Sequence, residues 1–159
     1  MGIDYKAHKL SLKNELPTVA VMGVSLHSIY PAYHRVLAED ILNSDGGWIT
    51  ETSSQDYINQ GVFPKRNRII AGMSDAMFVV ETNTKGGSMI TANLGNDYNR
   101  DVFALPGRVN DSASKGCNQL IQQNKAHLVN TPIDLLEIMQ WTTITNKKLP
   151  LTIELDFEG

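Results

Sequence analysis

The chain has one cysteine, Cys117, in 159 residues. It can form no intrachain disulfide and no cysteine-based zinc site. A chain without cross-links fits a reducing cytoplasm. Long apolar runs are also missing. None approaches the ~18 residues a membrane span needs, and residues 1–10 carry no apolar signal-peptide stretch. The four histidines, His8, His27, His34 and His127, are scattered, and none pairs with a second ligand at metal spacing. His27 lies between Ser25 and Ser28, but no Gly-x-Ser-x-Gly elbow supports a nucleophile there. No Walker loop, internal repeat or low-complexity run occurs. Neither a metal nor a cofactor is expected.

What remains is an ordinary globular composition, 42% apolar and 19% charged, long enough for one domain with its own core. The net charge of −3 argues against a wholly basic nucleic-acid binder. Its distribution is uneven. Residues 61–127 hold eight Lys/Arg against five Asp/Glu, a net of +3, and the remainder carries −6. An acidic end (Glu154, Asp156, Glu158) accounts for part of that asymmetry, and the rest places positive charge on the middle of the chain.

Apolar patterning alternates between strand and helix. Residues 18–22, 48–51, 76–80, 101–105 and 126–129 read as strands. Residues 31–43, 66–73, 88–98, 118–123 and 133–141 read as helices, with Ser88 the expected N-cap of the third. Residues 52–62 read as a loop. The repeated strand-then-helix order predicts an α/β fold, an open, mostly parallel sheet with helices on both faces. Residues 1–141 form the expected domain. Residues 142–159 read as a linker or extension with a strand-like piece at 151–155.

Three segments could carry chemistry. In Phe63-Pro64-Lys65-Arg66-Asn67-Arg68, three cations follow an aromatic and a proline. Pro64 favours an extended Phe63 at the lip of a loop. An exposed ring beside guanidinium groups can stack a base and grip its phosphate; the alternative is a core Phe63 with solvated arginines. In Lys85-Gly86-Gly87-Ser88, two glycines allow close backbone approach, the following helix start favours an anion, and Ser88 and Thr91 add hydroxyls. The alternative is a plain capped turn. Leu105-Pro106-Gly107-Arg108 also follows a strand, so Arg108 joins the same surface or is simply solvated. Cys117 at a helix start reads as a small buried residue, and Glu51 and Glu81, near strand ends, are the carboxylates that stand out, although spacing supports no paired acid/base role.

Taken together, these segments resemble the DNA-processing protein A (DprA, or Smf) family. The resemblance is carried by Gly2-Ile3-Asp4, Ala7-His8, Thr18-Val19-Ala20-Val21, Gly23 and Ile29-Tyr30-Pro31. It continues through Phe63-Pro64-Lys65-Arg66-Asn67-Arg68-Ile69-Ile70-Ala71-Gly72-Met73-Ser74 and Val79-Val80-Glu81. Then come Lys85-Gly86-Gly87-Ser88-Met89-Ile90-Thr91-Ala92, Asn99 to Gly107, and Gly116-Cys117-Asn118-Gln119-Leu120-Ile121. These blocks keep the family's order and spacing from Gly2 to about Met139.

The resemblance implies a cytoplasmic, Rossmann-like single-stranded DNA-binding domain without a catalytic reaction. It implies that the domain protects incoming strands during natural transformation and assists a RecA-type recombinase. A homodimer formed through residues 118–138 is also implied. Carried over by position, the DNA groove comprises Phe63, Lys65, Arg66, Arg68, Lys85, Gly86, Gly87, Ser88, Thr91 and Arg108. Gly86 stands where the family usually has serine. Family members also carry two earlier strands and a Gly-Ser-Arg segment before Gly-Ile-Asp, and a winged-helix-like tail. The sequence here begins at Met1-Gly2-Ile3-Asp4, so the resemblance implies a domain lacking the family's first strands. One rival reading is a nucleotide-binding enzyme resembling the lysine decarboxylase-like phosphoribohydrolases, whose Pro-Gly-Gly-x-Gly-Thr turn is absent here, and another is a truncated homologue of the family that keeps a dimer surface but binds DNA weakly.

Overall fold

The computed structural model describes residues 2–53 and 61–141. The chain opens with helix α1 (Ile3–Lys13), strand β1 (Val19–Val21), a 3-10 turn (Ala32–His34), α2 (Arg35–Asn43) and β2 (Gly47–Ile49). It continues with α3 (Val62–Met73), β3 (Ala76–Val79), α4 (Gly87–Asp97), β4 (Asp101–Ala104), α5 (Lys115–Gln122), β5 (His127–Leu128) and α6 (Pro132–Ile138). This is an α/β, Rossmann-like alternation. The expected 142–159 extension, its 151–155 strand and most of the 52–62 loop lie outside the described residues.

All strand pairing is parallel, as expected, but it is divided. β1 pairs with β2, and β3, β4 and β5 form a second sheet in that order. Among the described residues no strand joins β1 to β3, so each keeps one unpaired edge. Helix α3 packs against both β1 and α4, linking the two halves.

The core lies around β3 and β4. Val102 and Ala104 cluster with Met77 and Val79 of β3, Ala71 of α3, Met89 and Ala92 of α4, and Cys117 and Leu120 of α5. Phe103 lies between two of them, so it projects to the opposite side of the strand, and it too is fully buried. Both faces of β4 are therefore covered, which explains its uninterrupted apolar run. Gly95 lets α4 approach the sheet. A Cβ there would lie 2.8 Å from the Met77 terminal methyl and 3.1 Å from Val102.

Several boundaries differ from the sequence reading. Helix α1 was not foreseen. Its apolar residues, Ile3, Tyr5, Ala7, Leu10 and Leu12, fall mostly at every second position and none is buried, so the helical period is masked. The 31–43 helix begins as a 3-10 turn. α3 starts a full turn earlier than expected and includes Phe63 and Pro64. Proline is tolerated in a first turn, where its missing N–H has no intrahelical carbonyl to bond. Phe63 is therefore helical, and the expectation of an extended residue is corrected.

His8 of α1 is hydrogen-bonded to Thr18 Oγ1 at 2.8 Å, just before β1. Burial lowers its pKa, and the nearby Asp4 only partly offsets this. The folded state therefore takes up the proton less readily than the unfolded chain, whose histidine titrates near ~6.5. This contribution to stability is complete above that pH and is lost as pH falls below it. Thermal unfolding between pH 7.5 and 5.5 should show a smaller drop in midpoint for His8→Gln than for the wild type. Equal drops would remove His8 from that role. Leu120→Ala should cost about 2–5 kcal/mol in a denaturant titration, the range for emptying a packed leucine site.

Candidate nucleic-acid interface

A cavity of about 1020 Å³ runs between β1 and β3. Its walls include Val19, Ala20 and Val21 of one strand and residues 76–79 of the other. At the carboxyl ends of these strands it is lined by Gly23, Tyr30, Phe63, Arg66, Gly87, Ser88 and Thr91. Segments far apart in sequence thus meet where open parallel sheets bind ligands.

Five of the ten sequence-derived positions line this cavity: Phe63, Arg66, Gly87, Ser88 and Thr91. Lys85 and Gly86 lead directly into Gly87 without lining the wall, and Lys85 is exposed. Lys65 and Arg108 are exposed and lie outside the lining. Arg68 is also outside it and forms an ion pair with Glu51, from the segment after β2. This pairing was not foreseen, because residues 17 positions apart reveal no contact by spacing.

Phe63 and Arg66 sit three residues apart on α3 and so share a helix face. The Arg66 guanidinium donates through Nη1 to the Val21 carbonyl and through Nε to Asn67 Oδ1 at 3.2 Å. Of its five N–H donors, three remain for another acceptor. Burial pulls the Arg66 pKa below its ordinary value, opposed by Asp4. A partly desolvated guanidinium attracts an anion more strongly than one in bulk water. Among the described residues Arg66 is the only Lys or Arg in the cavity wall, and Asp4 and Glu81 add carboxylates. Of the cations expected on this surface, Arg66 is thus the one in the wall, and Lys85 lies on the exposed turn that leads into Gly87.

The Lys85–Ser88 turn is shaped by polar contacts. Asn83 Oδ1 accepts the Lys85 backbone N–H at 2.9 Å, and the Gly86 N–H reaches the Asn83 carbonyl at 3.1 Å. Gly86, rather than Ser88, is the N-cap of α4, and no side chain caps that end. The Ser88 hydroxyl is thereby moved into the first turn, facing the cavity. A Cβ on Gly86 would lie 2.4 Å from Thr82 Oγ1, whereas one on Gly87 would meet nothing within 4 Å. A side chain at 86 would press on the Thr82 hydroxyl and require it to shift, and Gly87 leaves the approach to the helix start open.

The start of α5 holds this turn from behind. The Gly116 N–H donates to the Thr82 carbonyl at 2.8 Å, and the Thr82 N–H donates to the Ala113 carbonyl at 2.7 Å. Asn118 bonds Gly107 in both directions, donating to its carbonyl at 3.0 Å and accepting its N–H at 3.1 Å. Cys117 is fully buried, as the sequence suggested. Its thiol points at the Val79 carbonyl, and burial raises its pKa. Among the described residues no group of three His, Cys, Asp or Glu could hold a metal, and no helix is long and apolar enough to cross a membrane.

Residues 1–140 match the family model described as DNA recombination-mediator protein A. The chain is 39% identical over 140 residues to Protein Smf of Escherichia coli K12, covering 88% of this chain and 37% of that protein. It is 38% identical over 135 residues to the DNA processing protein DprA of Streptococcus pneumoniae R6, covering 85% and 47%. The chain thus spans between about a third and a half of these relatives' lengths. Its fold matches the X-ray structure of Streptococcus pneumoniae DprA with a TM-score of 0.77 at 36% identity, over 86% of this chain and 47% of that one. A DNA processing protein A from Helicobacter pylori, studied for its single-stranded DNA binding mode, shares the fold. Its TM-score is 0.68 at 22% identity, over 86% and 71% of the two chains.

Proposed function

Because this chain belongs to the DNA recombination-mediator protein A family, we propose that it binds single-stranded DNA, without catalysis, at the carboxyl-end side of the cavity. One observation carries the reading. Phe63 and Arg66 of α3 and Gly87, Ser88 and Thr91 of α4 converge on one wall from separate segments. In this reading Arg66, Lys85 and the open start of α4 take phosphates, and these contacts supply affinity and salt dependence. Phe63 stacks a base and tolerates any sequence, since every base has a π face. Lys65, Arg68 and Arg108 are outer contacts that steer the strand. The described DNA-binding relative from Helicobacter pylori supports the choice of ligand.

The wider role follows the family. The domain protects incoming single strands in the cytoplasm, assists a RecA-type recombinase, and forms a homodimer through residues 118–138. A second reading has one observation in its favour, the Glu81 carboxylate in the cavity wall close to the start of α4. A nucleotide-cleaving enzyme would use such a group as an acid or base. Release of free base from a nucleoside monophosphate would support that reading.

The test is fluorescence polarisation of labelled single- and double-stranded oligonucleotides across a salt series. The wild type should prefer single strands and weaken as salt rises. Lys85→Ala should weaken binding several-fold and reduce the log–log salt slope by about 0.7, one phosphate contact. An unchanged slope would take Lys85 out of the interface. Equal binding of duplex and single strand would overturn the proposed ligand.

A further inference from the structure

Tyr30 has no role in the site as described so far. It is a large ring left 61% exposed, yet it lines the cavity beside Phe63. The two ring centroids are 6.2 Å apart and the planes are inclined at 43°. That separation lies within the range of interacting aromatic pairs. The inclination is neither parallel nor edge-on, so the rings do not use up each other's faces by stacking.

Gly23 fixes where the Phe63 ring lies. A Cβ at this position would sit 2.9 Å from Phe63 Cδ1 and 3.1 Å from Cε1. Any larger residue would have to push the ring away from β1. The absence of a side chain at 23 therefore seats Phe63 next to Tyr30. Arg66, one turn further along α3, completes a row of two aromatic rings and a guanidinium.

We propose that Tyr30 is a second base-stacking residue, forming with Phe63 a two-ring ledge for adjacent unpaired bases, and that Gly23 positions that ledge. The inference rests on the single-stranded DNA reading above and extends it from phosphate contact to the number of bases held. Tyr33 supplies an internal control. It is 76% exposed and packs edge-on against His34 at 4.4 Å, but it does not line the cavity.

The experiment compares an oligothymidine with the same strand carrying abasic sites, by fluorescence polarisation, for the wild type, Tyr30→Ala, Tyr30→Phe and Tyr33→Ala. The abasic strand keeps its phosphates and loses its stacking faces. Tyr30→Ala should weaken binding to the intact strand roughly 5- to 100-fold. It should leave binding to the abasic strand unchanged. Tyr30→Phe should bind like the wild type, because the face and not the hydroxyl is used, and Tyr33→Ala should also be neutral. Gly23→Ala should reproduce part of the Tyr30→Ala loss, again on the intact strand alone. Equal weakening on both strands would make Tyr30 a structural or phosphate contact and overturn the ledge, as would an unaffected Tyr30→Ala. If the wild type binds neither strand, the single-stranded DNA reading fails and the ledge with it. Wild-type binding that ignores Tyr30 removes the ledge alone.

Discussion

The backbone of Thr82 and Asn83 occupies the space that a side chain at residue 116 would need. A Cβ on Gly116 would lie 2.5 Å from Thr82 Cγ2 and 2.6 Å from two carbonyl oxygens. Glycine there allows α5 to begin directly against the end of β3. It also allows the paired backbone hydrogen bonds that bury Thr82, a polar residue 7% exposed. A buried peptide group must find a partner, and residues 113–116 supply it. That contact anchors residues 82–83, from which the Asn83–Gly86 turn and the start of α4 continue. The conformation of this end of the cavity is thus tied to the packing of α5 against the end of β3.

Two kinds of cation result. Arg66 is half-buried and oriented by Val21 and Asn67, while Lys85 stays in solvent on a turn. A held guanidinium presents its remaining donors in a fixed plane, and a lysine adapts as a mobile point charge. The wall also carries two carboxylates, Asp4 and Glu81, so its charge is mixed.

Much of this was legible in the sequence, and the exceptions have physical causes. Strand β4 was plain because both faces are covered and its run from Val102 is uninterruptedly apolar, and β3 because Met77 and Val79 are buried and Phe78 between them, although half-exposed, is apolar too. The helix starts were harder. Ser88 looks like an N-cap by type, but Gly86 takes that position because the Asn83 side chain already organises the turn. Phe63 looked extended because proline follows it, yet a first helical turn satisfies Pro64 equally well. Arg68 looked available and is paired with Glu51, a contact created only by bringing α3 alongside the end of β2. Gly23 and Tyr30 belonged to resemblance blocks without an assigned task. Their meaning depends on a distance to Phe63 that no one-dimensional pattern encodes.

Among the described residues β1–β2 and β3–β4–β5 pair as separate sheets, with α3 packed against β1 on one side and α4 on the other. β4 is paired on both sides and covered on both faces, so its amides should be the last to open to solvent. The unpaired edges of β1 and β3 should open through smaller local fluctuations. A ligand held by Phe63 and Arg66 of α3 and by the start of α4 would bind only where these two packed helices stay together, and by mass action would stabilise that contact.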